Sequence, residues 1–192
     1  MFFSLAALAT VSLITSSALA ADNLVPACIG LAGAFDTTTA NFTLAAYYAD
    51  ETKNTNTTGV PLVLGPWGTL GPGVLYVLMT YASYPKPQNW PAFQLDAGRL
   101  IALGSPNVTN RAVIDGSAPG WLQINSDPHT GAQVYCGESS ATGLPQLAAN
   151  GATDQFALCT NGPYSEVIYM PENPGTAYDY SSCQYIHIHI VY

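Results

Sequence analysis

The chain has 192 residues, 48% of them hydrophobic and only 8% charged, and its 4 basic residues against 12 acidic ones give a net charge of −8. That balance argues against nucleic acid or an anionic membrane surface as a partner, because both reward clustered Lys and Arg. Hydrophobicity at the level of a folded domain argues against disorder.

The first stretch, MFFSLAALATVSLITSSALA, is an apolar run closed by the small-residue pattern Ala18-Leu19-Ala20, the form of a secretory signal peptide over residues 1–20. Its one departure is that no Lys or Arg precedes the apolar core. The run is too short and too cleanly ended to span a bilayer, and Pro, Gly, Asn and Asp interrupt every later apolar run. The C-terminus carries no glycolipid-anchor pattern. The expected product is a freely secreted single domain, residues 21–192, ample for one core and short for two.

Taken in chain order, the remaining sequence reads as short β-strands between dense turn residues, with 17 Gly and 14 Pro. The expected strands are FTLAAYYA (42–49), PLVL (61–64), VLYVLMTY (74–81), AFQL (92–95), RLIAL (99–103), WLQI (121–124), AQVYC (132–136), QFALC (155–159), SEVIYM (165–170) and QYIHIHIVY (184–192). Only LPQLAAN (144–150) has room for a short helix. LVLGPWGTL, FQLDAGRLIAL and WLQINSDPHTGAQVYC each have the grammar of a hairpin, apolar strand to Gly-bearing turn to apolar strand. Spaced about thirty residues apart, they admit a β-trefoil-like repeat. The broader expectation is an all-β, disulfide-bonded antiparallel sandwich or barrel. DETKNTNTTG (50–59) and SYPKPQNWP (83–91) read as loops, where β-scaffolds carry binding residues.

Cys28, Cys136, Cys159 and Cys183 are even in number, with no C-x-x-C pair, so disulfides are expected in an oxidising compartment. Three pairings are open. Cys28–Cys136 with Cys159–Cys183 is preferred, because the second bridge ties the last strand to an earlier one. Sequons at Asn41, Asn56 and Asn107 are expected N-glycan acceptors, supplying solubility that so few charges do not.

Motifs for chemistry are sparse. Nucleophile elbows, His-Glu-x-x-His, phosphate loops and EF-hand loops are absent. A carboxyl pair for glycoside hydrolysis among Asp96, Asp115, Asp127, Asp154, Glu138 and Glu166 is defined by separation in space, which sequence does not supply. His187 and His189 share one face of the terminal strand, about 6.5 Å apart along the chain. With His129, and with Asp127 two residues before it, they form the one candidate metal site. The plainer reading places Ile186, Ile188 and Ile190 in the core, with Tyr185, His187 and His189 facing solvent or a polar cavity. Trp67, Trp90 and Trp121, in or beside turns, are candidate stacking faces for sugar rings.

The order of FQLDAGRL, a strand to a cysteine, DQFALC, a Pro/Gly/Tyr-rich loop and SSCQYIHIHIVY resembles small secreted fungal proteins. The likeness is to the phialide and conidial cell-wall (IgE-binding) family and to secreted proteins of mushroom-type fungi. It covers residues 42–192, with Phe156-x-x-Cys159 and Cys183 matching best, although this chain is far poorer in Lys. The resemblance implies a fungal extracellular or cell-wall component acting by structural association or by binding cell-wall polysaccharide, without catalysis or cofactor. The alternative is a secreted metal-dependent or hydrolytic enzyme using the His187/His189 strand.

Overall fold

The computed structural model describes residues 24–70, 73–85, 92–104, 108–123, 130–140, 143–173 and 177–192. The expected signal peptide, Trp90, Asn107, Asp127 and His129 lie outside these residues. Thirteen strands are described: β1 (Ala34–Phe35), β2 (Thr43–Tyr48), β3 (Val60–Leu70), β4 (Gly73–Thr80), β5 (Ala92–Asp96), β6 (Arg99–Leu103), β7 (Val108–Asn110), β8 (Gly120–Gln123), β9 (Tyr135–Glu138), β10 (Gln146–Ala149), β11 (Phe156–Asn161), β12 (Tyr164–Tyr169) and β13 (Asp179–Val191). Two single-turn 3-10 segments, Pro26–Cys28 and Glu51–Lys53, are the only helical pieces among the described residues. The all-β, disulfide-bonded expectation holds.

Pairing is antiparallel throughout, and the ladder closes on itself through β13, β11, β12, β4, β3 and β2, the last pairing back to β13. Closure removes exposed edges from these six strands. Alternation then sorts the side chains. Leu44, Leu62, Leu64, Leu78, Phe156, Leu158, Val167, Ile186, Ile188 and Ile190 point inward and are at most 4% exposed. Burial of side chains of this size stabilises by roughly 1.5–3 kcal/mol apiece.

β13 is long enough to serve two neighbours along one edge, β11 over its first half and β10 at His189, while β2 runs along the other edge. The separate hairpin β5–β6 adds Phe93, Leu95 and Leu100 to the same core, anchored by reciprocal Phe42–Phe93 backbone hydrogen bonds of 2.9 and 2.6 Å. Its two-residue turn, Ala97-Gly98, needs positive φ at both positions, which Gly98 adopts freely and Ala97 adopts at 46°.

Three local expectations are corrected. LVLGPWGTL is not a hairpin but most of one continuous strand, β3, with a register shift between Pro66 and Gly68. A Pro and a Gly that read as a turn make a bulge when the flanking residues keep pairing with the same partner. WLQINSDPHTGAQVYC is not a hairpin either, because β8 pairs with β4 and β7 while β9 pairs with β1 and β10. With one of the three expected hairpins formed, the basis for a trefoil-like repeat is gone. LPQLAAN forms strand β10 rather than a helix, its Leu147, Ala148 and Ala149 wholly buried between β9 and β13.

Candidate functional site

One edge of β4 has two partners. Met79 pairs with Glu166 of β12, whereas Val74 to Val77 pair with Gln123 to Gly120 of β8. Where the partner changes, β12 and β8 diverge, and a cavity of about 290 Å³ opens on the outer face of the closed sheet. Leu75 and Val77 of β4 line it, with Glu166 and Ile168 from β12 and Gly120 with the segment 111–118 from the β7–β8 connection. That segment is held to β12 by Tyr169 N–H donating to the Ser117 carbonyl at 3.0 Å and by Gly116 N–H donating to the Tyr169 carbonyl at 2.9 Å.

The β3 bulge presents Trp67 at this cavity, where its side chain is 45% exposed. Glu166 is the buried counterpart, at 2% exposure. Asn161 Nδ2 donates to Glu166 Oε2 at 3.1 Å. Burial pushes the Glu166 carboxyl above the ordinary carboxylate range, and Asn161 and the nearby Trp67 side chain pull it part of the way back. Arg111 and Ile114 complete the working surface, both exposed and Ile114 at 59%. The cavity thus offers an aromatic face, an apolar rim, one buried acid and one cation, the mixture typical of small-molecule sites.

The His187/His189 face is different in kind. Ile186, Ile188 and Ile190 are at most 1% exposed, while His187 and His189 are half-buried on the outer face beside Tyr185, which is 51% exposed. The Tyr47 ring packs on His189 with centroids 4.5 Å apart. Burial first, then the neighbouring His187, lowers the His189 pKa, and a hydrogen bond to the Leu144 carbonyl opposes them. The Nδ1 atoms of both rings are buried without a hydrogen-bond partner. Among the described residues no three His, Cys, Asp or Glu side chains gather into a metal-holding group, and His129 and Asp127 lie outside those residues.

Of the two described tryptophans, Trp67 lies at the cavity and Trp121 does not. Trp121 is corrected: it is wholly buried, its Nε1 donating to the Leu100 carbonyl at 2.9 Å, its ring between Phe93 and Tyr135 at centroid distances of 6.0 and 6.4 Å. β8 is flanked on both sides by β4 and β7, so its inward residue has no route to solvent. Trp90 lies outside the described residues.

The four cysteines pair as Cys28–Cys136 and Cys159–Cys183, the second bridge joining β11 to β13. Asn41 and Asn56 are exposed, and the Asn56 side chain accepts from the Thr58 amide at 3.1 Å. Asn107 is outside the described residues.

Arg111 was not legible as a site residue, and Glu166 stood only as one acid among many. Its partner Trp67 is distant in sequence and meets it only because β3, β4 and β12 lie side by side. Neither a family model, nor a curated protein, nor a solved structure matches the chain.

Proposed function

We propose that this is a secreted, N-glycosylated protein of a fungal extracellular matrix or cell wall that binds carbohydrate at the Trp67–Glu166 cavity. The observation that carries this reading is Trp67 itself, half-exposed over a cavity of about 290 Å³ that it shares with a buried carboxyl group. A fixed aromatic face stacks on the C–H face of a sugar ring, and the polar groups beneath it select hydroxyl positions. The volume lies at the small end of ligand pockets, roughly 300–1,000 Å³, which fits one ring or a chain end better than a long polymer segment.

Binding is favoured over cleavage because glycoside hydrolysis uses two carboxyl groups, and Glu166 is the one carboxyl among the described residues lining the cavity. The two disulfides support export, and no helix among the described residues is long and apolar enough to cross a membrane.

Co-sedimentation of the full secreted protein with insoluble chitin, β-glucan, cellulose and pectin tests this reading. Retention on at least one polymer, lost in Trp67→Ala, is the expected result. Equal retention of the variant moves binding away from the cavity, and no retention on any of the four removes the carbohydrate reading.

A further inference from the structure

We propose that the cavity recognises an acidic sugar, a pyranose bearing a carboxylate, with Arg111 as the carboxylate-binding group. This deepens the carbohydrate reading above and rests on it.

Cations are scarce in this chain. Its four basic residues are Lys53, Lys86, Arg99 and Arg111, and Lys86 lies outside the described residues. Two of the other three already have local acidic partners, Lys53 with Asp50 at 4.0 Å and Arg99 with Asp96 at 3.8 Å. Arg111 has none: it forms no ion pair with any described residue, Glu166 included. Its backbone is fixed at the cavity wall, the N–H donating to the Gly120 carbonyl at 2.9 Å where β7 hands over to the segment 111–118.

A guanidinium that a strongly acidic chain leaves unpaired in its cavity is suited to an anionic group arriving from outside. Its planar fork matches a carboxylate with two parallel hydrogen bonds. The acid already in the cavity does not fill that role. Glu166 already accepts a hydrogen bond from Asn161, and burial opposes its ionisation. The net charge of −8 opposes an anion at long range, but salt screens it beyond about 8 Å, whereas Arg111 acts at contact.

Trp67 and Ile114 then supply what a carboxylate alone does not need, two exposed apolar surfaces for the ring's C–H face. A free small anion would use Arg111 and leave both idle. A neutral sugar would use Trp67 and leave Arg111 idle. A uronic acid uses all three.

Calorimetric titration of the full secreted protein with a trigalacturonide, its methyl ester, methyl glucuronide and methyl glucoside separates the possibilities. The expected result is tighter binding of each acid than of its neutral counterpart by about tenfold or more. Arg111→Gln should bring the acid down to the neutral level without changing the neutral ligand, and Arg111→Lys should restore part of the preference. Equal affinity for acidic and neutral partners, or equal weakening of both by Arg111→Gln, overturns the acidic-sugar assignment while leaving the carbohydrate reading intact. No binding of any of the four overturns the acidic-sugar assignment. It reaches the carbohydrate reading as well only where the four wall polymers also fail to retain the protein.

Discussion

Trp67 on β3 and Glu166 on β12 line one cavity from either side of an intervening strand, β4. This sets a half-exposed indole beside a buried acid. The cavity also lies near the weakest seam of the closed sheet, for β12 and β4 share one residue pair, Glu166 with Met79, where β3 and β4 share eight.

The two visible tryptophans should separate binding from stability. Trp121→Ala should cost about 3–5 kcal/mol, because a large buried ring leaves a cavity and orphans the Leu100 carbonyl. Trp67→Ala should cost far less, about 1 kcal/mol, because the half-exposed ring leaves no enclosed cavity behind. Urea denaturation of both variants checks this, and similar losses would place Trp67 in the core rather than at a site.

Stability should depend on pH from both sides. The raised Glu166 pKa means that the folded state holds its proton more tightly, so this contribution is full below the ordinary carboxyl range and is lost as pH rises through the raised value. The lowered His189 pKa acts oppositely, its contribution full above the ordinary 6.5 and lost as pH falls through the lowered value. Thermal midpoints across pH should show both declines. Glu166→Gln should flatten the loss on raising pH, and His189→Phe the loss on lowering it.

The β5–β6 turn carries strain that a substitution should relieve. Ala97 sits at φ 46°, a conformation costing a non-Gly residue roughly 1–2 kcal/mol. Ala97→Asn, which gives the Asn-Gly pair that two-residue hairpin turns favour, should raise stability by about 0.5–1 kcal/mol. A lower denaturation midpoint would mean that the Ala97 methyl group or its N–H bond to Thr37 Oγ1 matters more than the turn.

Opening the Cys159–Cys183 bridge by changing both residues to Ser should cost about 3 kcal/mol, the loop-closure contribution for a 24-residue separation. Because this bridge joins two strands of the closed sheet, proteolysis of the variant should begin within 160–182. Cleavage starting elsewhere would show that β11 and β13 hold together without it.

What was legible in the sequence is what alternation alone determines. The isoleucines of the last strand announce its inward face, and the Asp96–Arg99 hairpin announces its turn. The Pro66–Gly68 bulge was not legible, because the same residues make a turn or a bulge according to which strand the chain pairs with next. Trp121, a candidate stacking face from its place beside a turn, is instead an inward residue of β8 and wholly buried. The cavity was invisible for a related reason. It exists only where β4 changes partner, and its lining residues come from five separate stretches that no local pattern links.

The most direct test of the account is the affinity of Trp67→Ala for soluble oligosaccharides of whichever wall polymer retains the protein, measured by calorimetry beside the parent and a His187→Ala/His189→Ala control. The account predicts binding weakened by about tenfold or more in Trp67→Ala and unchanged in the histidine control. Unchanged binding in Trp67→Ala, with loss in the histidine control, would contradict it and move the site to the terminal strand.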